Sequence, residues 1–272
     1  MPAITPVTDP DDLRIAAYRE IKERDLVGRE GLFVAEGRVV LEKLTRSGLH
    51  PLRSVLVAEA RLAGLRPVLA ALAPEVPVYV APQGVMDVIA GFPMHRGILA
   101  IGEHRPLDAP GLLQRLGPNA LVVGLSAIAN HDNMGGIFRN AAAFGAEAVL
   151  LDAACCDPLY RKAIRVSVGA ALTVPFAQLG REQDLVRTLA GAGFEVVALS
   201  PRGEVELADL RCAGRVAALF GAEGPGLAPE ILARTRNIRI GMVDGFDSLN
   251  VATTSGLVLY QLSKRRSAER RA

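Results

Sequence analysis

Two hydrophobic periods alternate along the chain. Over residues 11–24 (DDLRIAAYREIKER), Leu13, Ala16, Ala17 and Ile21 recur at helical spacing and predict one apolar face. Past the glycines at 28 and 31, LFVAEG predicts a short strand, and residues 38–46 (RVVLEKLTR) predict an amphipathic helix stopped by Gly48. Strands are expected at 55–58, 76–80 and 97–101, with helices near 59–73 and 83–90, and this alternation predicts a sheet that is at least partly parallel. Residues 104–119 carry three prolines and two glycines and read as a connection with one helical turn. The boundaries expected are a first domain over 1–105, a linker over 106–118 and a second domain over 119–272. The second half opens with LVVGL, an unbroken apolar strand of the kind buried on both faces. Helical patterns at 135–144, 160–171, 181–192, 228–236 and from about 248 then alternate with strands at 147–151, 173–177, 194–199, 216–220 and 237–240, which predicts an α/β domain on a parallel sheet.

Composition narrows the function classes. A chain of 272 residues, half of them hydrophobic, suits two ordinary globular domains. Its start lacks a basic segment running into an apolar one, and it has no stretch of about 18 uninterrupted apolar residues, so neither a signal peptide nor a membrane span is expected. Cys155, Cys156 and Cys212 form an odd set without metal-ligand spacing, and with four scattered histidines they predict no metal site. A reducing cytoplasm is the expected location. The net charge of +2 decides nothing about a nucleic-acid partner. Four of the 31 basic residues are Lys (22, 43, 162 and 264) and the other 27 are Arg. Arginine's planar fork suits phosphate oxygens, but a GC-rich gene produces the same bias.

Chemistry concentrates in three loops of the second half, each after a predicted strand, where parallel sheets place ligands. In the first, NHDNMGGIFRNAAAFGA (130–146), Asn133 precedes Gly135 and Gly136, and Arg139 follows on the helix they open. Paired glycines weaken a helix start by about 1 kcal/mol each, which makes sense where a backbone or a phosphodiester must come close. The plainer reading has Asp132 or Asn133 as the helix cap and Arg139 in solvent. In the second loop, LFGAEGPGL (219–227), Glu223 sits between glycines, or simply in a Gly–Pro turn. In the third, IGMVDGFDSLNVATTSGLVLY (240–260), Asp247, Ser248 and Asn250 lead into an apolar helix, with Ser248 a candidate N-cap. Neither a Walker-type nor a dinucleotide glycine fingerprint occurs at a strand-to-helix turn.

The ordered set N-x-G-x-x-x-R-N-A, F-G-x-E-x-x-G-L and I-x-M…S-L-N-V resembles the three motifs of the SpoU family of RNA methyltransferases, within the SPOUT superfamily, over roughly residues 119–263. Lys22, Arg24 and Phe33 to Gly37 carry a similar likeness to that family's substrate-binding domain, an L30e-like fold. The resemblance implies a parallel sheet closed by a C-terminal trefoil knot, S-adenosylmethionine (SAM) as cofactor, an rRNA or tRNA substrate and a homodimer. It places the cofactor against Ser200, Pro201, Arg202, Gly203, Phe220, Gly221, Ala222, Glu223, Gly224, Ile240, Met242, Ser248, Leu249 and Asn250. The third motif departs from the family pattern, with Gly241 in place of proline, Asp244 in place of glycine with Gly245 next, and Thr253-Thr254-Ser255 in place of small apolar residues.

The resemblance further implies methyl transfer to a ribose 2′-hydroxyl, with Asn133, Arg139, Glu223 and Asn250 as catalytic residues. Arginine keeps its proton in proteins, so Arg139 is expected to grip the adjacent phosphate and stabilise the developing alkoxide rather than act as a base. Asn133 and Glu223 are expected to orient it. His131 is the rival base. Arg161, Lys162 and Arg165 are expected beside Arg139 on the RNA backbone, or else on a solvated helix face. The basic tail, Lys264-Arg265-Arg266 with Arg270-Arg271, reads as an RNA-facing patch or a frayed end. Two other functions remain open at this point: a non-catalytic RNA-binding or ribosome-assembly protein on the same fold, and a base methyltransferase of the same superfamily.

Overall fold

The computed structural model describes residues 2–19, 30–91, 94–246 and 248–269. The chain divides into two compact units, residues 1–105 with 159–173, and residues 106–158 with 174–272.

The first unit contains β1 (Ile4–Pro6), a 3₁₀ turn (Leu13–Tyr18), β2 (Leu32–Glu36), α1 (Arg38–Ser47), β3 (Leu52–Ala58), α2 (Glu59–Ala70), β4 (Val78–Ala81), α3 (Gln83–Ala90) and β5 (Ile98–Glu103). Its sheet runs β1-β4-β3-β5-β2, with β4 parallel to β1 and β3, and β5 antiparallel to β3 and β2. The expected helix over 11–24 is cut short. Asp12 caps the turn that starts at Leu13, and Arg19 is already extended. Lys22 and Arg24 lie outside the described residues. Strand β1 was not foreseen, because three residues including a proline give no alternation to read.

The second unit begins with α4 (Ala109–Gln114), within the segment expected to be a linker. The one helical turn expected there is this helix. Pro110 occupies the first helical turn, where its missing N–H costs nothing, and the Asp108 carboxylate accepts from the Gly111 N–H at 2.8 Å. Ala109, Leu112 and Leu113 are then buried with Val122, Leu150, Leu189 and Leu219. Arg215 fastens the rest of the segment by donating to the carbonyls of Leu116 and Gly117.

Strand β6 (Leu121–Leu125), α5 (His131–Ala143) and β7 (Ala148–Leu151) follow. The chain then returns to the first unit as α6 (Arg161–Val166) and a 3₁₀ turn (Ala170–Leu172), so the helix expected over 160–171 is two short pieces. Val168, with φ 53°, and Gly169, with φ 76°, break it. The second unit resumes with β8 (Phe176–Gln178), α7 (Leu185–Gly191), β9 (Glu195–Leu199), β10 (Val205–Glu206), β11 (Val216–Phe220), α8 (Pro229–Leu232), β12 (Arg236–Arg239) and α9 (Val251–Glu269). All seven strands of its sheet are parallel, in the order β10-β12-β9-β11-β6-β7-β8. The central β6 and β11 are buried at every residue, which is why they read as continuous apolar runs.

Candidate active site

The strand order reverses between β6 and β11. After β6 the chain moves outward to β7 and β8, whereas β11 has β9, β12 and β10 on its other side. Connections leaving adjacent strands in opposite directions open a crevice at their carboxyl ends. The loops after β6 and β11 both emerge there, and the Ser126 N–H still reaches the Phe220 carbonyl at 3.0 Å.

The loop after β6 is fixed by one carboxylate. Asp152, just past β7, accepts from the Ser126 hydroxyl at 2.7 Å, from the Ala127 N–H at 3.1 Å and from the Ala154 N–H at 2.9 Å. These bonds hold Ala127 at φ 56°, a region a residue with a Cβ rarely adopts. Helix α5 then starts four residues earlier than its apolar pattern suggested. Its cap is Asn130, whose side chain accepts from the Asp132 N–H at 2.7 Å, and neither Asp132 nor Asn133 takes that role. Asn133 consequently lies in the first turn, 5% exposed.

Three residues remote in sequence meet there. The Asn133 amide nitrogen donates to Glu223 Oε1 at 2.5 Å. The Asn250 amide nitrogen donates to Asn133 Oδ1 at 2.8 Å and to the same Glu223 oxygen at 3.2 Å. The other end of Asn250 caps α9, its Oδ1 accepting from the N–H groups of Ala252 and Thr253 at 3.0 and 3.2 Å. Asn250, not Ser248, is therefore the cap. A carboxylate accepting from two amides, with both amides oriented by the bonds, is a fixed polar cluster at the rim of the crevice.

Beside it lies a cavity of about 520 Å³, within the size range of small-molecule sites. Ser200, Pro201 and Arg202 after β9, Phe220 at the end of β11 with Gly221 to Gly224 after it, Ile240 and Met242 after β12, and Ser248 and Leu249 before α9 all line it. Twelve residues of the expected cofactor set are thus brought together, and two are not. Gly203 is pressed against the backbone of β12, where a Cβ would stand 2.3 Å from the Ile238 carbonyl carbon. Asn250 turns to Asn133 and Glu223 instead. Leu199, Pro225 to Leu227, Pro229, Leu232, Val251 and Thr254 also line the cavity and were missed. Gly226, Leu227 and Val251 had a signal as motif positions, whereas Leu199, Pro229 and Leu232 flank the motifs and carry no pattern of their own. Thr254 had a signal, since it is one of the departures from the family pattern.

The 221–227 loop forms one wall by folding tightly on itself. Ala222 and Gly226 form an isolated bridge, and a Cβ on Gly221 would meet the Gly226 carbonyl carbon and the Leu227 nitrogen at 2.4 Å. Gly245, at φ 87°, sits in a turn in which the Phe246 N–H bonds the Val243 carbonyl at 3.2 Å. It thus stands one residue beyond the glycine position of the family pattern. Asp247 lies outside the described residues.

Arg139 is exposed on α5 and joins neither Asn133 nor Glu223 in any hydrogen bond among the described residues, so the expected orienting contact is not made. His131 is the first residue of α5. Arg161 belongs to the first unit, where it donates to Glu36 Oε2 from Nη2 at 2.8 Å and from Nε at 3.1 Å. Lys162 and Arg165 are exposed on the same short helix. At the C-terminus, the Lys264 ammonium stands 4.4 Å from the Tyr260 ring centroid. Arg270 and Arg271, and the side chains of 265–269, lie outside the described residues. Burial pushes the thiols of Cys155 and Cys156 up, to about 12 and about 11, which removes them as nucleophiles near neutrality. Among the described residues no group of histidine, cysteine and acidic side chains is arranged to hold a metal, and no helix is long and apolar enough to cross a membrane.

A parallel α/β unit with its polar cluster and cavity at a strand-order reversal defines the class as a cofactor- or substrate-binding enzyme domain. Residues 120–260 match the model of the SpoU rRNA Methylase family. Two proteins described as uncharacterised tRNA/rRNA methyltransferases, from Mycobacterium bovis and Mycobacterium tuberculosis, are each 37% identical over 267 residues, spanning 95% of this chain and 91% of theirs. An AdoMet-bound rRNA methyltransferase from Sinorhizobium meliloti superposes over 96% of this chain and 98% of its own, with a TM-score of 0.82 at 22% identity. A structure described as an RNA 2′-O ribose methyltransferase covers 97% of this chain and 100% of its own, with a TM-score of 0.75 at 25% identity. The chain belongs to the SpoU family of RNA methyltransferases.

Proposed function

We propose that this protein transfers a methyl group from S-adenosylmethionine to a ribose 2′-hydroxyl of rRNA or tRNA. The observation that carries the reading is the Asn133–Glu223–Asn250 cluster at the rim of the 520 Å³ cavity. The cavity fits the cofactor's chemistry: Leu199, Phe220, Ile240, Met242 and Leu249 offer apolar walls to a nucleoside base, while Ser200, Ser248, Thr254 and the 221–226 backbone offer polar groups to its ribose and amino-acid ends. When bound, S-adenosylmethionine supplies an electrophilic methyl on a sulfonium. The chain's share is alignment. Glu223 and the two asparagines keep a fixed set of donors and acceptors at the cavity rim, and a positioned oxygen gains rate through proximity. Arg139, exposed on the same helix as Asn133, is assigned to the phosphate next to the target ribose, where its planar fork stabilises developing negative charge.

The full-length match to a 2′-O ribose methyltransferase and the AdoMet in the Sinorhizobium relative support the same assignment. The proposal includes an L30e-like substrate-binding domain in the first unit and a knotted C-terminal part in the second. It also includes a cytoplasmic homodimer, for which α9 and the loop before it offer an apolar surface: Val243, Phe246, Leu249, Leu257 and Tyr260 are all exposed. The test is product mapping. Unmodified rRNA and tRNA transcripts treated with the protein and S-adenosylmethionine should acquire one alkali-resistant linkage, because a 2′-O-methyl blocks cleavage there. A methylated base with every linkage still cleavable would replace ribose by base as the target.

A further inference from the structure

We propose that the first unit holds a phosphate-binding cavity for the RNA backbone, formed by Arg38, Arg61, Arg96 and Arg165 around the N-terminus of α1. It deepens the RNA reading above and does not involve the crevice of the second unit. The cavity measures about 560 Å³, and its lining includes those four arginines, His95 and the first turn of α1. Glu36 is the one carboxylate among its lining residues. That charge is already engaged: Arg161 grips one oxygen at 2.8 and 3.1 Å, and Arg96 Nε stands 3.9 Å from the other. Among the described residues Arg61 is paired with no carboxylate, and its guanidinium donates to the His95 carbonyl at 3.0 Å. Arg165 is exposed at the rim without an ion pair among the described residues. Arg38 is held by Glu42 at 2.8 Å, so the surplus positive charge of the site rests on Arg61 and Arg165.

The backbone points the same way. Helix α1 is ten residues long, its N-cap is Gly37 at φ 94°, and no side chain caps it. Arg38 to Val40 line the cavity at a helix start whose N–H groups no cap side chain satisfies, an arrangement that favours an anion. Arg165 is brought to this place by a segment under constraint. Val168 takes φ 53°, an outlier for a β-branched residue, and Lys43 of α1 secures it by donating to the Val168 carbonyl at 2.7 Å. Gly169 packs against the same helix, where a Cβ would stand 3.4 Å from Val40 Cα. Arg161, expected on the RNA, thereby becomes the anchor: it neutralises Glu36 and holds α6 so that Arg165 faces the cavity. Guanidinium forks with uncapped amides select phosphate oxygens.

The test is a fluorescence titration of an unmodified tRNA transcript with the full chain at several salt concentrations, since phosphate contacts act on all RNA sequences alike. An Arg61→Gln/Arg165→Gln double variant should bind at least about tenfold more weakly, with the slope of log K against log salt reduced by about 1 per arginine removed. Arg46→Gln/Arg66→Gln removes the same charge from exposed positions outside the cavity and should bind as the parent does. Unchanged melting temperature and S-adenosylmethionine affinity in the cavity variant show that both units stay folded. Wild-type affinity and slope in the cavity variant, or equal weakening in the control pair, overturns the proposal. Protection of the parent by millimolar inorganic phosphate, with tRNA affinity untouched in the variant, marks a free-anion site and also overturns it. The two readings separate cleanly. Ribose methylation with undiminished RNA binding by the cavity variant sinks the phosphate site alone, whereas weakened binding in a chain that methylates no ribose sinks the reaction alone.

Discussion

Asn133 couples three chain segments through one amide, accepting from Asn250 and donating to Glu223. Asn133→Asp removes the donor and sets a second carboxylate within about hydrogen-bond distance of Glu223, where like charges disfavour joint ionisation. Single-turnover transfer should fall at least tenfold, by the scale of a lost positioning contact. Adding Glu223→Gln should recover part of it by restoring one donor and one acceptor; a double variant no better than the single would show that the pair does not act through this bond. Arg139 touches neither partner, so Arg139→Ala should cut turnover by about 10²–10⁴-fold and leave S-adenosylmethionine affinity within a few-fold. Arg139→Lys should be nearly as damaging, because an ammonium lacks the planar fork. An active Arg139→Lys beside a dead His131→Ala would transfer the role to His131. Away from the site, His50 is buried against Phe33 and His104, and desolvation with the neighbouring His104 pushes its pKa down to about 4. Unfolded, it takes up a proton near 6.5. Between those values the unfolded chain binds more protons, so stability present above pH 6.5 is lost toward pH 4, at most about 1.4 kcal/mol per unit. Melting of a His50→Gln variant across that range should lose this slope, and an unchanged slope would assign the acid sensitivity to another group.

At the scale of elements, the decisive contact is between α5 and α9. A Cβ on Gly136 would stand 2.7 Å from Ala252 Cβ, and one on Gly256 would meet Asn140 Nδ2 at 3.3 Å. Asn140 donates to the Ala252 carbonyl at 2.7 Å and to the buried Ser255 hydroxyl at 2.9 Å, so the two helices are joined by polar as well as steric fit. The glycine whose cost suggested a close neighbour has one, and it is a helix. Gly136→Ala should destabilise the chain by about 1–3 kcal/mol through overpacking. It should also loosen the Asn133–Asn250 bond, since those residues sit at the starts of the same two helices. Ala252→Gly should relieve the overlap in the double variant, less about 1 kcal/mol of helix propensity. Additive denaturation energies in that cycle would mean the helices do not touch as described.

For the whole molecule, the order of segments along the chain differs from their grouping in space. Residues 106–118 supply buried Leu112 and Leu113 to the second unit, and residues 159–173 leave that half of the sequence to pack in the first. A fragment of 119–272 should therefore be less stable than one of 106–272, by about 1.5–3 kcal/mol for each buried leucine removed. Both should be aggregation-prone, because Ile164, Ala171 and Leu172, buried in the intact chain, lose the unit that covers them. Melting and size-exclusion measurements on the two fragments check this; equal melting temperatures would return 106–118 to the status of a tether.

The sequence by itself determined the elements whose apolar pattern is strong, such as β6, β11 and α3, and it marked the three loops that meet at the crevice. It could do so because burial on both faces of a central strand, and glycine or asparagine at a turn, are local requirements written residue by residue. The tertiary structure alone decided which of the marked residues act together. Asn133, Glu223 and Asn250 lie 27 to 117 positions apart and are joined by a strand-order reversal that no local pattern encodes. It also decided that Arg161 serves Glu36, that Leu112 and Leu113 of the proline-rich stretch are buried in the second unit, and that four dispersed arginines share one cavity. Charge and cap residues are ambiguous in sequence, because the same side chain serves solvent, a helix end or a ligand according to what folding brings beside it.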